Sequence, residues 1–575
     1  MSPFQSADEL NHYLRVGQIA HGQFMGHRVG ETESGGDVER SFLDIYRPFH
    51  RLMTKYDEKV HREDIITAGL VNNNGIYQFQ SFPNTAIYSP LLYAPSAIAV
   101  FLTTKLEVKP LYVFYSARVA TAIVSALISF FGLLLARKGR YYLFVILMLP
   151  MVLSLYSAVN QDAMVIALSA FGIGLISFLT GDEGKSPSKK LPAVSAALIL
   201  VAMARPPYLL LTAAVLSLVK NKSIRFIACA AVMALTAIAS IIWVIYLKKS
   251  VWIPFFVPGM HVSIGEQISF IVHNPLQFIK VILNTIIHQG NIYLHQGIGD
   301  IGWLDTPMPD WYFCLTLYMA VIAAVADIFS GTTPSYRNKI ESIGIPLAVC
   351  ASVVLTFLAI LTTQYLNYTP VGADEVIGVQ GRYMIPLAIF LAVAVPHVSI
   401  PNRVRDVVGA TIPLALFAWA IVTASVLSWT IIDRYYLETA SRPPDFHIHI
   451  AASSDFASVP RKVGGHIDNV TVQDNHIAIT GWALRSGSGN SELVLVTRYQ
   501  LQDLEARKMS RIDVVNVLKD QKLQWSGFHV TGTIAPEEGN LTADDFCLVS
   551  KDPEYGDTLV DGSGAACRGD MASPR

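Results

Sequence analysis

Apolar stretches close to the length of a bilayer crossing recur from about residue 112 to residue 432. No other feature of the sequence restricts the fold so tightly. A hydrocarbon core about 30 Å thick takes about 20 apolar residues in helix to cross, and every backbone polar group in it must be satisfied within the chain. The pattern predicts spanning helices at about 112–135, 142–160, 163–180, 226–247, 311–330, 342–364, 383–396 and 407–432. Composition agrees. The 575 residues are 52% hydrophobic and 15% charged, where a soluble domain carries about a quarter charged residues. The net charge of −1 and the absence of a basic face argue against nucleic acid as a partner.

Lys and Arg in the short loops set the direction of the spans. "ARKGR" at 136–140, "GDEGKSPSKK" at 181–190 and "KNKSIR" at 220–225 carry three each, and "SYRNK" and "NRVR" two each, whereas "SAVNQD" at 157–162 carries none. With the basic loops in the cytoplasm, residues 1–111, 248–310, 365–382 and everything after 433 lie outside. Segment 87–104, interrupted by Pro90 and Pro95, reads as a helix lying on the outer interface. An outward N-terminal region with no exporting segment leads us to expect a further transmembrane helix upstream of Met1. The stretch 191–219 has basic flanks on both sides and is too short for two crossings. Its "RPP" at 205–207 must break the helix, so a short hairpin is expected, with Arg205 at a tip inside the membrane. Backbone broken at that depth survives only within protein or against a water-filled cavity.

After a linker at 433–459, the composition turns soluble. Alternating runs such as "GGHIDNVTVQDNHIAITGWAL" at 464–484 predict an extracytoplasmic β-sandwich of about seven strands over 460–575. Its Trp482 and Trp525 are either sugar-stacking residues or core. Cys229, Cys314 and Cys350 sit in apolar helices as small hydrophobes. Cys547 and Cys567 are able to pair if the tail lies in an oxidising compartment.

Four polar clusters gather on the outer side: Asp8 and Glu9 with His12 and Arg15; Asp162 in "VNQDA"; Asp300, Trp303 and Asp305 in "GIGDIGWLDTPMPDW"; and Arg382 in "GVQGRYMIP". Ionisable groups at membrane depth are costly and mark functional sites. The chemistry they suggest is transfer at the interface. A carboxylate takes the proton of an acceptor hydroxyl, and arginines hold a phosphate leaving group. A divalent metal bridging carboxylate and phosphate is compatible with this, though no ligand set stands in the sequence. Each residue also has a plainer reading. Asp8 and Glu9 suit a helix N-terminus, Asp162 an N-cap, Asp305 a loop tie and Arg382 an interfacial anchor.

The pieces "ADELNHYLRVGQIAHG", "YSPLLYAPSAIA", "SAVNQDAMVIAL", "ARPPYLLL", "GWLDTPMPDW" and "GVQGRYMIPL" follow in order over roughly 1–435. In them the chain resembles a bacterial membrane family, domain-of-unknown-function family 2142, which itself looks like the GT-C glycosyltransferases. That resemblance implies a GT-C-like polytopic helical fold and transfer of a sugar from a polyprenyl-phosphate donor to an envelope glycan or lipid at the outer face of the cytoplasmic membrane. It implies Asp8, or else Glu9, as catalytic base, and Arg205, Arg382 and Tyr208 on the donor phosphate. His12, Asp162, Trp303 and Asp305 would shape the sugar or acceptor pocket. Two other classes fit the same residues: a transporter or flippase of lipid-linked sugars, and a non-catalytic envelope assembly protein.

Overall fold

The computed structural model describes residues 1–53, 58–180, 190–218, 223–254, 261–330, 344–396, 402–437, 447–451, 462–473, 476–485, 492–497, 501–509, 511–518, 520, 522–523, 526–534 and 546–562. The chain divides into two units: Met1–His50 with Val60–Ile432, and Arg51–Lys59 with Asp433–Arg575.

Six helices among the described residues are long and apolar enough to cross a membrane: Pro110–Leu135, Asp162–Thr180, Phe226–Ser250, Asp310–Phe329, Pro346–Tyr368 and Arg405–Tyr436. They carry six of the eight expected spans. The other two stretches are built from shorter pieces. Residues 142–160 fall into helices Arg140–Leu147 and Pro150–Tyr156, because Pro150 brings no N–H to continue the first. Around 383–396 the chain makes one short apolar helix, Gly381–Ala394, whose first and last turns, Gly381–Met384 and Leu391–Ala394, are 3₁₀. The region read as an outer loop contains Ile264–His273 and Pro275–Ile298, which meet at 108° across Asn274 and together are long and apolar enough to make a seventh, broken crossing. The expected break at "RPP" is present. Helix Leu191–Ala204 ends on Arg205 in extended backbone, and a 3₁₀ helix Pro206–Leu218 follows.

Helices Pro110–Leu135 and Asp162–Thr180 pack closely on one another. A Cβ on Gly174 would lie 2.1 Å from the Gly132 carbonyl oxygen, and one on Gly132 would lie 2.6 Å from the Ala170 carbonyl. The two backbones therefore touch where side chains would hold them apart, as small residues permit in membrane bundles. Asp162–Thr180 is buried nearly throughout, while Pro110–Leu135 turns Val119, Ile123, Leu127, Phe130 and Leu134 outward.

The N-terminal region is an ordered cap. Helix Glu9–Ala20 packs on helix Ala94–Lys105 and on strand Glu33–Glu39 of a three-stranded antiparallel sheet completed by His27–Val29 and Tyr77–Ser81. Helix Ala94–Lys105 exposes Ile98, Phe101 and Leu102.

The second unit carries the expected β-rich domain. Among the described residues, eight strands join in one curled sheet, a half-barrel, in the order Leu501–Met509, Gly527–Ile534, His476–Ala483, Val463–Gln473, Thr558–Asp561, Phe546–Lys551, Glu492–Thr497, His447–Ala451. Two pairings are parallel, His447–Ala451 with Glu492–Thr497 and Thr558–Asp561 with Val463–Gln473. Ile477, Ile479, Leu493, Leu495, Phe528 and Val530 form its core. Trp482 packs against Val514, Val515 and Leu523, which gives it the core role; Trp525 lies outside the described residues. Cys547 is disulfide-bonded, and Cys567, the partner the sequence offers, lies outside them too.

Candidate functional site: two arginines between two carboxylates

Asp8 precedes helix Glu9–Ala20 in the left-handed region, φ 64°, and its side chain makes no capping bond. Aspartate tolerates that conformation better than most residues. Its carboxylate is turned to other partners. Arg382 Nη2 donates to Asp8 Oδ2 at 2.9 Å, and Asn84 Nδ2 donates to Oδ1 at 3.2 Å. Asn84 is itself steadied by Asn11, whose Nδ2 donates to Asn84 Oδ1 at 2.9 Å.

Arg382 is delivered by the turn Gly381–Met384, which lies directly on helix Pro275–Ile298. A Cβ on Gly381 would sit 2.1 Å from the Tyr293 carbonyl oxygen and 2.5 Å from Gly297 N, so the "QGRY" glycine is required by contact. The Gly381 amide also donates to Gln296 Oε1 at 2.9 Å. From there the guanidinium bridges two acids: Asp8 on one side and, through Nε, Asp162 Oδ2 at 3.5 Å on the other. Asp162 opens the helix Asp162–Thr180, but the capping is done by Asn160, whose Oδ1 accepts from Ala163 N at 2.8 Å. This leaves Asp162 for Arg205, whose Nη1 donates to Oδ1 at 2.7 Å. Arg205 also lies over the Tyr383 ring, 3.9 Å from its centroid, a cation–π contact favoured by desolvation. The helix break at "RPP" thus sets a charge onto a buried acid.

The cluster of Asp8, Asp162, Arg205 and Arg382 has two negative and two positive charges and is neutral as a whole. Arg382 and Asp162 are almost fully buried, with side chains 4% and 6% exposed, and Arg205 is at 14%; Asp8 alone is open, at 32%.

His12, one turn after Asp8, is buried beside these charges. Its Nδ1 meets the Tyr93 hydroxyl at 2.6 Å, and its ring stacks on Tyr88. Burial pushes its pKa down to about 4, only partly offset by Asp8 and Asp162, so the imidazole is neutral at physiological pH. Tyr208 is buried behind the site, donating its hydroxyl to the Tyr383 carbonyl at 2.9 Å. It positions the Arg382–Tyr383 turn.

Glu9 has a different setting from its neighbour. It is 0% exposed and clasped by Arg118, with Nε donating to Oε1 at 2.8 Å and Nη2 to Oε2 at 2.5 Å. Oε1 also accepts from Val159 N at 2.9 Å. The pair ties the opening helix to Pro110–Leu135 and to the loop before Asp162. Arg15 is also fully buried, donating to Gln18 Oε1 and to the Phe24 and Tyr88 carbonyls. Trp303 and Asp305 form a support. Asp305 Oδ1 accepts from Trp303 N at 3.1 Å and from the Thr306 hydroxyl at 3.0 Å. The hairpin so fixed holds the segment before Asp8 through Trp303 Nε1 to the Phe4 carbonyl, 3.2 Å, and Ala7 N to the Gly302 carbonyl, 3.2 Å. Asp300 lies in the first strand of this hairpin, paired with Pro307, its pKa raised to about 7 by burial and by nearby Asp310.

The structure therefore brings Asp8, His12, Asp162, Arg205 and Arg382 together and sets Tyr208, Trp303, Asp305 and Glu9 around them as supports. Reading the sequence missed Arg118, Asn84, Tyr88, Tyr93 and Tyr383. Arg118 carried a usable signal, a lone charge in an apolar run, the same signal that singled out Arg205. Among the described residues no group of three or more His, Cys, Asp or Glu side chains is placed to hold a metal ion.

The fold and its buried charges define a multi-pass membrane protein with a polar site. The chain belongs to the family of predicted membrane proteins designated DUF2142, whose model matches residues 1–391. No curated protein and no solved structure matches it.

Proposed function

We propose that this protein is a glycosyltransferase of the GT-C type, moving a sugar from a polyprenyl-phosphate donor to an envelope glycan or lipid on the outer face of the cytoplasmic membrane. The observation that carries the reading is the asymmetry of the cluster, in which one carboxylate, Asp8, is open while two buried arginines stand behind it. An open carboxylate is what a hydroxyl acceptor needs, and buried guanidiniums are suited to a phosphate. In the step, Asp8 takes the acceptor hydroxyl proton as the acceptor oxygen bonds to the anomeric carbon. The bond from that carbon to the phosphate oxygen breaks, and its electron pair leaves with the polyprenyl phosphate, whose charge Arg382 and Arg205 balance. Glu9 takes no part, since its oxygens are committed to Arg118 and Val159. The disulfide at Cys547 favours an oxidising compartment for the C-terminal domain, in keeping with the direction drawn from the basic loops.

The test is sugar transfer from synthetic polyprenyl-phosphate sugars to envelope glycan. Asp8→Asn should lose about 10²–10⁴-fold in rate, the usual worth of a general base, with its thermal unfolding midpoint kept. Transfer that survives in Asp8→Asn removes Asp8 as base. A wild type that transfers nothing but carries lipid-linked sugar across a vesicle membrane makes the protein a flippase.

A further inference from the structure

We propose that the Asp8 carboxylate occupies the place of the ligand's phosphate, and that a phosphate monoester or diester takes Arg382 from it on binding. This rests on the reading of the site as a polyprenyl-phosphate site and adds an order of events to it. The charge count requires an exchange. Two carboxylates already neutralise two arginines, so an incoming phosphate has no unpaired cation to meet in the cluster. Burying a further negative charge there without compensation is costly. One carboxylate must give way, and the structure distinguishes the two. Asp162 is nearly sealed and is held by Arg205 at 2.7 Å as well as by Arg382 at 3.5 Å. Asp8 is 32% exposed, has Arg382 as its one cationic partner among the described residues, and sits at the N-terminal end of a helix with no capping duty. Its second oxygen rests on Asn84 at 3.2 Å, a neutral contact that lets the side chain swing while staying beside the site.

The consequence is an ordered reaction. With the donor absent, Arg382 holds one oxygen of the exposed base in an ion pair. Phosphate binding draws the guanidinium away and leaves Asp8 available to the acceptor hydroxyl. Base and donor are made ready by the same event, so the acceptor hydroxyl meets a released base only when a lipid phosphate is in place.

The exchange has an unusual signature: removing the base should strengthen donor binding. Full-length wild type and Asp8→Asn in detergent are compared by calorimetry with farnesyl phosphate, with farnesol as the neutral control and inorganic phosphate as the headgroup alone. Asp8→Asn keeps the shape and the hydrogen bond to Asn84 but cannot hold the guanidinium as an ion pair. It should bind farnesyl phosphate about tenfold more tightly, as expected when one partly exposed charge-assisted competitor is lost, and farnesol unchanged. Asp8→Ser, which removes the side chain's reach, should tighten binding likewise. Equal or weaker farnesyl phosphate binding in both variants overturns the exchange, as does equal tightening for farnesol. Tightening for inorganic phosphate but not farnesyl phosphate overturns the lipid-linked source. Tightened binding in a protein whose wild type transfers no sugar leaves the exchange standing and sinks glycosyl transfer alone.

Discussion

The pair formed by Glu9 and Arg118 separates a structural acid from the proposed base standing next to it. Glu9 is fully buried and Arg118 is 6% exposed. Glu9→Gln keeps one oxygen for Val159 N and for Arg118 Nε, but places an NH₂ against Arg118 Nη2 and removes the countercharge. The guanidinium is left buried on the carbonyls of Met1 and Ser2. Breaking a buried pair from one side costs about 3–5 kcal/mol, chiefly through the charge left behind; the retained oxygen puts Glu9→Gln near the lower end. Arg118→Met should cost a similar amount, because Glu9 then stays buried with one backbone donor. The double variant Glu9→Gln/Arg118→Met should lose no more than either single one, a coupling of about 2 kcal/mol or more. Unfolding in detergent, followed by tryptophan fluorescence against denaturant, measures all three. Sugar transfer per folded molecule should stay within about twofold of wild type in Glu9→Gln. A loss of stability under about 1 kcal/mol in Glu9→Gln, or losses that simply add in the double variant, would refute the pairing argument. An inactive but fully stable Glu9→Gln would hand the base role to Glu9.

Asp305→Ala should release the hairpin that holds the segment before Asp8. It is expected to cost about 1–3 kcal/mol for the unmet donors and to lower kcat more than it raises KM, checked by unfolding and steady-state kinetics. Asp300 binds its proton more tightly folded than unfolded, so its contribution to stability is present below about pH 4 and is lost as pH rises through about 7. The slope between those values should vanish in Asp300→Asn when unfolding is followed against pH. His12 acts with the opposite sign: its folded pKa of about 4 makes stability fall as pH drops from about 6.5, and His12→Gln should flatten that limb. Cys547→Ser, or reductant, should destabilise the C-terminal domain by about 2–5 kcal/mol, seen as an earlier unfolding step in calorimetry.

What could be read in advance followed the physics of each residue. Arg205 was legible because a charge and two prolines within an apolar run have few bland explanations, and Arg382 because it enters a helix from a glycine-containing turn. That both would meet at Asp162 was not legible, since the contacts join residues 43 and 220 positions from it in sequence with no local pattern. The same holds for Glu9 and Arg118, 109 residues apart. Of two adjacent acids, only the tertiary partners say which one is open. Span 142–160 was overdrawn because hydropathy averages across Leu149 and Pro150, where the backbone is extended and the helix breaks, whereas 383–396 marked a real apolar helix, Gly381–Ala394, that is shorter than a full crossing. In the tail, alternation marked strands well but carried no information on which neighbours pair in parallel.

The glycine crossing of helices Pro110–Leu135 and Asp162–Thr180 has a consequence for inheritance. Arg118 lies 14 residues from Gly132, and Asp162 lies 12 from Gly174, so at 1.5 Å per residue the crossing stands about 21 and 18 Å from the charges it aligns. A single added methyl group there would wedge two backbones apart and splay both long arms, so a small widening at the fulcrum becomes a larger one at the acids. Selection against variation should be as severe at these two glycines as at Asp8, and a screen for inactive alleles should recover them though neither touches a charged group of the cluster.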